Sequence, residues 1–415
     1  MTHANLKRDY FWNTLGVFAQ NAVSPLLLIA VTRVNGIFDS GIFSFAFSIA
    51  VIFLSLGMWG GRTFQASDAK ERFTSQSYIA VRLILSVVML VGAVAFCLAN
   101  GYDQFKTSVI LVLVLAKVFE SISDAVYAVM QVRDSLYRSG ISLAVKAVLS
   151  MVLFVAIDIT TQNLLLASTG LILANILVLA FYDIPTIHKL EKNILKNGWT
   201  KSSAQAFKVM MVSLPVFAVT FLAMFSLNIP RYFLDMFHPE SVGYFGILAM
   251  PITLLTLAVS FLLQPNVVSL SRLYNTAKFN QFRRVVGKIL SATVVITVIT
   301  LIVTFFIGLP VLHIAFGVDF SNYKLELMIM VAGAGASAFV AVLMSMMVIL
   351  RRFKVPFYIF LLTNLVLVVL SSYIVNINGL LGSVSLFAGI NVFQAMLFAV
   401  YYLVVMNGSS KANND

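Results

Sequence analysis

The chain has 415 residues, of which 60% are hydrophobic and only 11% are charged, with a net charge of +12. A soluble domain carries about a quarter charged residues, because its surface must face water. So little charge argues against a soluble fold of this size. It favours a protein embedded in a bilayer, whose core is itself apolar.

Apolar stretches follow one another along the whole chain. A helix needs roughly 20 apolar residues to cross the hydrocarbon core of a bilayer. Twelve stretches meet this criterion: 11–32, 42–60, 79–99, 107–131, 141–158, 164–184, 206–228, 243–264, 285–309, 323–350, 357–375 and 379–403. The sequence therefore predicts an all-α membrane protein with about 12 transmembrane helices.

Lysine and arginine predict the orientation of these helices. If the N-terminus is cytoplasmic, almost all of these residues fall in cytoplasmic loops, as the positive-inside rule requires. The outer side then keeps only Arg33, Lys106, Arg231 and Lys324, while Lys117 lies within a span. Both termini are therefore expected in the cytoplasm. The net charge needs no nucleic acid to explain it.

The longest loop suggests a division into two lobes. We expect a six-helix N-terminal lobe at 1–184, a basic linker helix at 185–205, a six-helix C-terminal lobe at 206–405 and a cytoplasmic tail at 406–415. The halves resemble each other weakly, since Arg33 and Arg231 each end the first helix of a half. Such a repeat predicts a central cavity between the lobes that holds the substrate.

The fourth predicted helix carries the most specific feature of the sequence. Five polar residues fall within an arc of about 80°: Lys117, Glu120, Asp124, Tyr127 and Gln131. This stripe cannot face lipid, so it must face protein or a water-filled cavity.

The stripe has two interpretations. Intramembrane charges mark transport pathways, so Lys117, Tyr127 and Gln131 are candidates for substrate binding. Glu120 and Asp124 are candidates for gating, or for coupling to H⁺ or Na⁺. Alternatively, the stripe is a structural network, in which Lys117 pairs with Glu120 and Asp124 bonds a neighbouring helix.

Polar residues of the first helix form a second stripe. Asn13, Gln20 and Ser24 lie within an arc of about 40°. Amide and hydroxyl groups suit a hydroxyl-rich cargo, although hydrogen bonds between helices explain them equally well.

The arginines at the outer side and two basic residues near the inner side are ambiguous. Arg33 and Arg231 could hold an anionic headgroup, because a guanidinium matches phosphate geometry. Snorkelling to the interface is the simpler interpretation for each. It is also the default for Arg82 and Lys146, although Lys146 could reach inward beside Ser142 and Ser150.

Enzyme motifs are missing from the sequence. A single cysteine, Cys97, allows no internal disulfide and no thiolate metal site. The four histidines are scattered, and no metalloprotease, P-loop or nucleophile-elbow pattern occurs. We therefore expect no catalytic residue, no metal and no cofactor. Gly333 and Gly335, in an Ala-Gly-Ala-Gly-Ala run, predict close helix packing.

Several short patterns together resemble the O-antigen type polysaccharide flippases of bacteria. They are Asn13-Thr-Leu-Gly, Val31-Thr-Arg33-Val-Asn-Gly36, the stripe from Lys117 to Gln131, Asn228-Ile-Pro230-Arg231-Tyr-Phe-Leu and Gln264-Pro265. This family belongs to the multidrug/oligosaccharidyl-lipid/polysaccharide exporter superfamily.

The resemblance implies a multidrug-extruder-like fold that moves a polyprenyl-pyrophosphate-linked glycan across the inner membrane by alternating access. Arg33, Lys117, Arg231 and Lys146 would then meet the pyrophosphate or acidic sugars. Asn13 and Gln20 would meet sugar hydroxyls. Membrane lipids and the polysaccharide polymerase machinery are the partners it suggests, for lipopolysaccharide, capsule or exopolysaccharide synthesis.

Two other functions remain open. A cation-coupled multidrug exporter would share the fold, but the resemblance would then predict an acid on the cavity face of the first helix. None lies within that span. A membrane polysaccharide polymerase or glycosyltransferase would need a large outer loop or a clustered acidic motif, and neither occurs.

Overall fold

The computed structural model describes residues 3–66, 72–191, 199–263, 266–350 and 352–411. Within these ranges the chain forms helices and no strand, as the sequence predicts. Three predicted features lie wholly or partly outside them. They are the Gln264-Pro265 pattern, the middle of the 185–205 link and the end of the 406–415 tail.

Long and short helices follow one another with short connections. Up to residue 190 they are α1 (His3–Met58), α2 (Gly61–Ala66), α3 (Ser75–Asn100), α4 (Gln104–Val132), α5 (Leu136–Thr161), α6 (Leu164–Val178), a π-helix (Leu179–Asp183) and α7 (Ile184–Leu190). From residue 199 they are α8 (Trp199–Phe237), α9 (Val242–Leu248), α10 (Met250–Leu263), α11 (Val267–Asn275), α12 (Phe279–Val303), a π-helix (Thr304–Gly308), α13 (Leu309–Phe316), α14 (Lys324–Ile349) and α15 (Lys354–Lys411).

The chain forms two compact units, Met1–Met224 and Phe225–Asp415. The boundary falls inside α8, so the first half of this helix belongs to unit 1 and the second half to unit 2. The predicted lobes at 1–184 and 206–405 stay a prediction.

Nine helical stretches of the described residues are long and apolar enough to cross a membrane. Two of them, Arg8–Met58 and Lys354–Asn407, have 51 and 54 residues. At roughly 1.5 Å per residue, each is more than twice the roughly 30 Å of a bilayer core. Each contains one glycine outside helical geometry, Gly36 with φ 90° and Gly379 with φ 52°. Each stretch therefore provides two crossings.

Helix α4 provides the remaining crossing. Its 29 residues are long enough for the bilayer core, but Lys117, Glu120 and Asp124 lie close together within it, which sets it apart from the nine stretches. Counting both kinked stretches twice and adding α4 brings nine to the predicted twelve. The architecture is that of a multi-pass membrane protein.

Local sequence signals fix several helix ends. The Asp103 side chain accepts a hydrogen bond from the Lys106 backbone N–H at 2.9 Å, which caps the start of α4. Gly101 ends α3 in the left-handed conformation (φ 64°), which costs a glycine little. The connection between α3 and α4 is therefore tight.

Small residues let helices approach closely in both units. In unit 1, α1 and α5 meet at Gly16 and Gly140, where a Cβ on either residue would overlap the backbone of the opposite helix. In unit 2, a Cβ on Gly333 of α14 would come within 2.8 Å of the Ala388 Cα atom of α15. The close packing predicted for Gly333 is therefore present.

The contact between α1 and α5 leads to a stability prediction. Gly140→Ala places a methyl group against the Trp12 backbone and is expected to cost about 1–3 kcal/mol, because the backbone must move. Gly389→Ala is the matched control, since nothing lies within 4 Å of its added Cβ. Alanine is favoured there by about 1 kcal/mol of helix propensity. Thermal unfolding in detergent can be followed by dye labelling of Cys97, which is buried in the folded protein. Equal midpoints for the two variants would contradict the prediction.

Candidate functional site

The polar stripe of α4 lies among helices of unit 1. Helix α4 packs against α1, α3, α5 and α6, and against the short helices α2 and α7. Tyr127 is buried, while Lys117, Glu120, Asp124 and Gln131 are half-buried. The stripe therefore faces protein, as its position on the helix predicts.

Lys117 and Glu120 form an ion pair within α4. The Lys117 Nζ atom lies 2.6 Å from Glu120 Oε2, and the two side chains are 12% and 17% exposed. Nζ also lies 4.6 Å from the ring centroid of Phe47, within the range of a cation–π contact. The pairing raised as an alternative in the sequence is thus present, and the pair keeps some access from outside.

Asp124 pairs with Arg82 of α3. The Arg82 Nη2 and Asp124 Oδ2 atoms are 3.3 Å apart. Arg82 also donates to the backbone oxygens of Gly57 and Met58, at the carboxyl end of α1. At 3% exposure, Arg82 does not snorkel to the interface, and that default expectation is wrong. The guanidinium points inward because a carboxylate and a helix end both attract it.

Lys146 of α5 also points inward, against the default expectation of snorkelling. It is 2% exposed, and its Nζ donates to Ser123 Oγ at 2.6 Å and to Tyr127 Oη at 3.0 Å. Asp183 Oδ2 lies 3.5 Å from the same Nζ. The alternative that Lys146 reaches inward beside Ser142 is correct.

Asp183 completes this network and was not found in the sequence. It is fully buried at the end of the π-helix Leu179–Asp183, and its Oδ1 accepts a hydrogen bond from Ser142 Oγ at 2.6 Å. The Ser142 and Tyr127 hydroxyls are 2.9 Å apart. The sequence does show an acidic residue near the end of an apolar stretch. It shows no pattern that predicts the π-helix, which places Asp183 beside Lys146.

Glu120 links the three ion pairs electrostatically. It interacts with Asp124 and with Lys146, in addition to its own partner Lys117. We call the set Arg82, Lys117, Glu120, Asp124, Tyr127, Lys146 and Asp183 the charged band of unit 1. The band contains three cations and three carboxylates, and Arg62 of α2 also interacts with Asp124 through its charge and its backbone N–H.

A smaller polar cluster lies around the kink of α1. Asn35 Nδ2 donates to Asp158 Oδ1 of α5 at 2.6 Å, and Asp39 interacts electrostatically with Asp158. Asp158 is fully buried. The partners are separated by 123 residues in sequence, so no spacing rule could have paired them.

The other predicted site residues are spread over both units. Asn13 and Gln20 of α1 are half-buried, and the Asn13 Oδ1 atom is buried without a hydrogen bond from any described residue. Arg33 is exposed. In unit 2, the Arg231 Cζ atom lies 5.1 Å from the ring centroid of Phe245. Substrate binding by these residues, and by the charged band, stays a prediction.

Residues 3–66, 72–191, 199–263, 266–350 and 352–411 contain no group of three His, Cys, Asp or Glu side chains able to hold a metal ion. Cys97 is a free, buried thiol.

Comparison with known proteins identifies a similar sequence. The capsular polysaccharide biosynthesis protein CapF of Staphylococcus aureus is 24% identical over 323 residues, which is 76% of this chain and 80% of CapF. No protein-family model matches the chain.

Solved structures define the class of fold. An inward-facing multidrug resistance MATE family transporter of the MOP superfamily has a TM-score of 0.72 at 12% identity, with 94% of this chain and 95% of that chain covered. The MATE multidrug transporter DinF-BH has a TM-score of 0.69 at 17% identity, with 96% and 95% covered. The chain therefore has the fold of MOP-superfamily transporters, and the predicted multidrug-extruder-like fold is confirmed.

One neighbour of the same fold is a flippase. The lipid II flippase MurJ, in an inward closed conformation, has a TM-score of 0.69 at 14% identity, with 97% of this chain and 87% of MurJ covered. At such identities the likeness concerns the fold alone.

The buried pair of Lys146 and Asp183 gives a second prediction. Lys146→Met leaves Asp183 without its cation and is expected to cost about 3–5 kcal/mol of stability. The double variant Lys146→Met with Asp183→Leu should recover most of the loss, because no unpaired charge remains. Lys288→Met is the control, since Lys288 is exposed on α12. Cys97 labelling on heating measures all three, and equal midpoints for Lys146→Met and Lys288→Met would contradict the prediction.

Proposed function

We propose that this protein is a flippase that moves polyprenyl-pyrophosphate-linked oligosaccharide repeat units across the cytoplasmic membrane by alternating access. The observation that carries the proposal is the similarity to CapF over three quarters of the chain, since CapF is named for capsular polysaccharide biosynthesis. The fold adds support, because a MOP-superfamily fold serves a lipid II flippase as well as drug exporters.

The charged band suggests how an anionic cargo is handled. Lys117 and Glu120 form the most exposed pair of the band, at 12% and 17%, against 2% and 0% for Lys146 and Asp183. A pyrophosphate can compete with Glu120 for Lys117 without first opening a sealed core. Lys117 is therefore the cation of the band best suited to the cargo, while Lys146 mainly holds α4, α5 and the π-helix together.

Glu120 and Asp124 are our candidates for coupling and gating. A carboxylate that loses its cation to the cargo is left unpaired in a low dielectric and favours binding H⁺ or Na⁺. Binding of cargo and binding of a cation to Glu120 are then linked. A change of charge at Glu120 also changes the electrostatic environment of Asp124, since the two carboxylates interact.

The proposal includes location and partners. The protein acts in the bacterial inner membrane with both termini in the cytoplasm, as the distribution of lysine and arginine predicts. It delivers repeat units to the polysaccharide polymerase machinery on the outer face. Arg33 and Arg231 meet the pyrophosphate or acidic sugars, and Asn13, Gln20 and Gln131 meet hydroxyl groups. Tyr127 belongs with Lys146 in the sealed network.

Flipping can be tested in the native host. After deletion of the gene, surface polysaccharide should be lost and lipid-linked repeat units should accumulate in the inner leaflet. Wild type should restore both, and Arg33→Ala should not. Arg33→Lys should restore part, because an ammonium keeps the charge but lacks the planar fork. Arg272→Ala, at an exposed position of α11, is the control. Normal surface polysaccharide in the deletion strain would refute the proposal.

Coupling can be tested by neutral substitutions in the band. Glu120→Gln and Asp124→Asn keep shape but cannot exchange a charge, so each should reduce translocation by at least tenfold at equal protein levels. Glu240→Gln is the control, because that side chain is 68% exposed and lies in unit 2, beside His238. Transport by reconstituted vesicles with and without a proton or sodium gradient provides the measurement. Unchanged transport in both variants would remove Glu120 and Asp124 from the mechanism.

Cation-coupled multidrug export is the second candidate function. The acidic pair of Asp39 and Asp158 favours it, since two carboxylates near one another attract a cation. In this case the deletion strain would keep its surface polysaccharide and become sensitive to cationic drugs. The same assay therefore separates the two functions.

A further inference from the structure

A polar pocket of about 130 Å³ lies in unit 1, and no residue of the charged band lines it. It is formed by α2, the start of α3, the end of α4 and the chain after α7. The charge pattern predicts that these segments are cytoplasmic. Ligand pockets for drug-sized molecules measure about 300–1,000 Å³, so this pocket has room for a small ligand only.

The charges of the pocket cancel. Arg133 Nη2 and Glu191 Oε2 are 3.5 Å apart, and Ser75 Oγ donates to the same Glu191 oxygen at 3.1 Å. An anion would meet the Glu191 carboxylate, and a cation would meet the Arg133 guanidinium. The pocket therefore suits a ligand without net charge.

The start of α3 does not provide an anion site. Thr74 caps this helix, and its hydroxyl accepts a hydrogen bond from the Ser77 backbone N–H at 3.3 Å. The Thr74 and Ser77 hydroxyls are also 2.9 Å apart. The groups that would bind phosphate at a helix start are thus already engaged in part.

Gln65 contributes an unused acceptor to the pocket. Its side chain lines the pocket, is 5% exposed, and donates from Nε2 to the Ala125 backbone oxygen at 3.5 Å. Its Oε1 atom is buried and accepts no hydrogen bond from any described residue. A buried acceptor left unpaired costs about 1–3 kcal/mol, so a ligand that donates a hydrogen bond is favoured.

Part of the pocket lining is apolar. The rings of Phe73 and Tyr78 stand nearly perpendicular, at 88° and 6.3 Å between centroids, and form a corner. Val129 and Val132 extend this surface along α4. The ligand must therefore present hydroxyl donors on its rim and C–H groups on a face. A sugar ring has both.

We propose that this pocket binds one neutral sugar ring of the glycan before translocation. The inference rests on the proposed function for the source of the sugar, while the pocket alone defines the ligand chemistry. Gln65 and Glu191 accept hydrogen bonds from sugar hydroxyls, Arg133 and Ser75 orient Glu191, and the Phe73–Tyr78 corner contacts the C–H face. A single ring enters, and the rest of the oligosaccharide stays outside the pocket.

Binding can be measured on the full-length protein in nanodiscs, free of sugar-headed detergent. The probes are neutral hexoses, N-acetylhexosamines and inorganic phosphate, with saturation-transfer NMR as the readout. We expect at least one sugar to bind saturably with millimolar affinity. Gln65→Leu and Glu191→Gln should each weaken it at least tenfold, while Gln281→Leu, at an exposed position of α12, should not. Cys97 labelling on heating shows that each variant is folded.

Each outcome decides one question. Saturable sugar binding that Gln65→Leu and Glu191→Gln weaken supports the pocket. Phosphate binding lost in the same variants, or no binding of any sugar by folded wild type, overturns it. If that wild type still restores surface polysaccharide, only the pocket fails and the flippase proposal stands. If the wild-type protein binds sugar but restores no surface polysaccharide, the pocket stands and the flippase proposal fails.

Discussion

A charged side chain in the hydrocarbon of a bilayer is costly unless it finds a polar partner or water, and an opposite charge is the strongest such partner. Unit 1 depends on this constraint. Arg82, Lys117 and Lys146 lie within 3.5 Å of Asp124, Glu120 and Asp183, respectively. Two of the three pairs join different helices, so they also position α3, α5 and the π-helix around α4.

The pairs differ in what they can do. A pair at 2% and 0% exposure is sealed by protein and exchanges partners only if helices separate. A pair at 12% and 17% exposure can be reached by a ligand. In the proposed mechanism, stability and transport are therefore served by different pairs of the charged band, and these pairs differ in exposure.

Much of the fold could be predicted from the sequence because hydrophobicity along a helix is a local property. The apolar stretches, the stripe of α4 and the close packing at Gly333 follow from residue type and spacing. The direction in which a side chain points does not follow from residue type and spacing. Arg82 and Lys146 sit where snorkelling is the usual solution, and only the arrangement of other helices gives each a carboxylate inside. The bond from Asn35 to Asp158 joins residues 123 apart in the sequence, and the Arg82 contact to Met58 depends on where α1 ends.

The same limit applies to the polar pocket. Gln65, Ser75, Arg133 and Glu191 come from four separate segments, and nothing in any one segment indicates a site. Their meeting is a consequence of how α2, α3, α4 and α7 pack. A sequence pattern finds chemistry placed on one helix, whereas chemistry assembled from several helices becomes visible only in three dimensions.

The π-helix at Leu179–Asp183 determines the direction in which its last side chains point around the helix axis. A π turn contains one residue more than an α turn, and each residue of an α-helix advances the side-chain direction by about 100°. If the same five residues formed regular α-helix instead, the turn would lose its extra residue and the Asp183 carboxylate would turn by about that angle relative to α6. A chain of equal length that stays α-helical in this short segment therefore points Asp183 away from Lys146, even where both residues are kept.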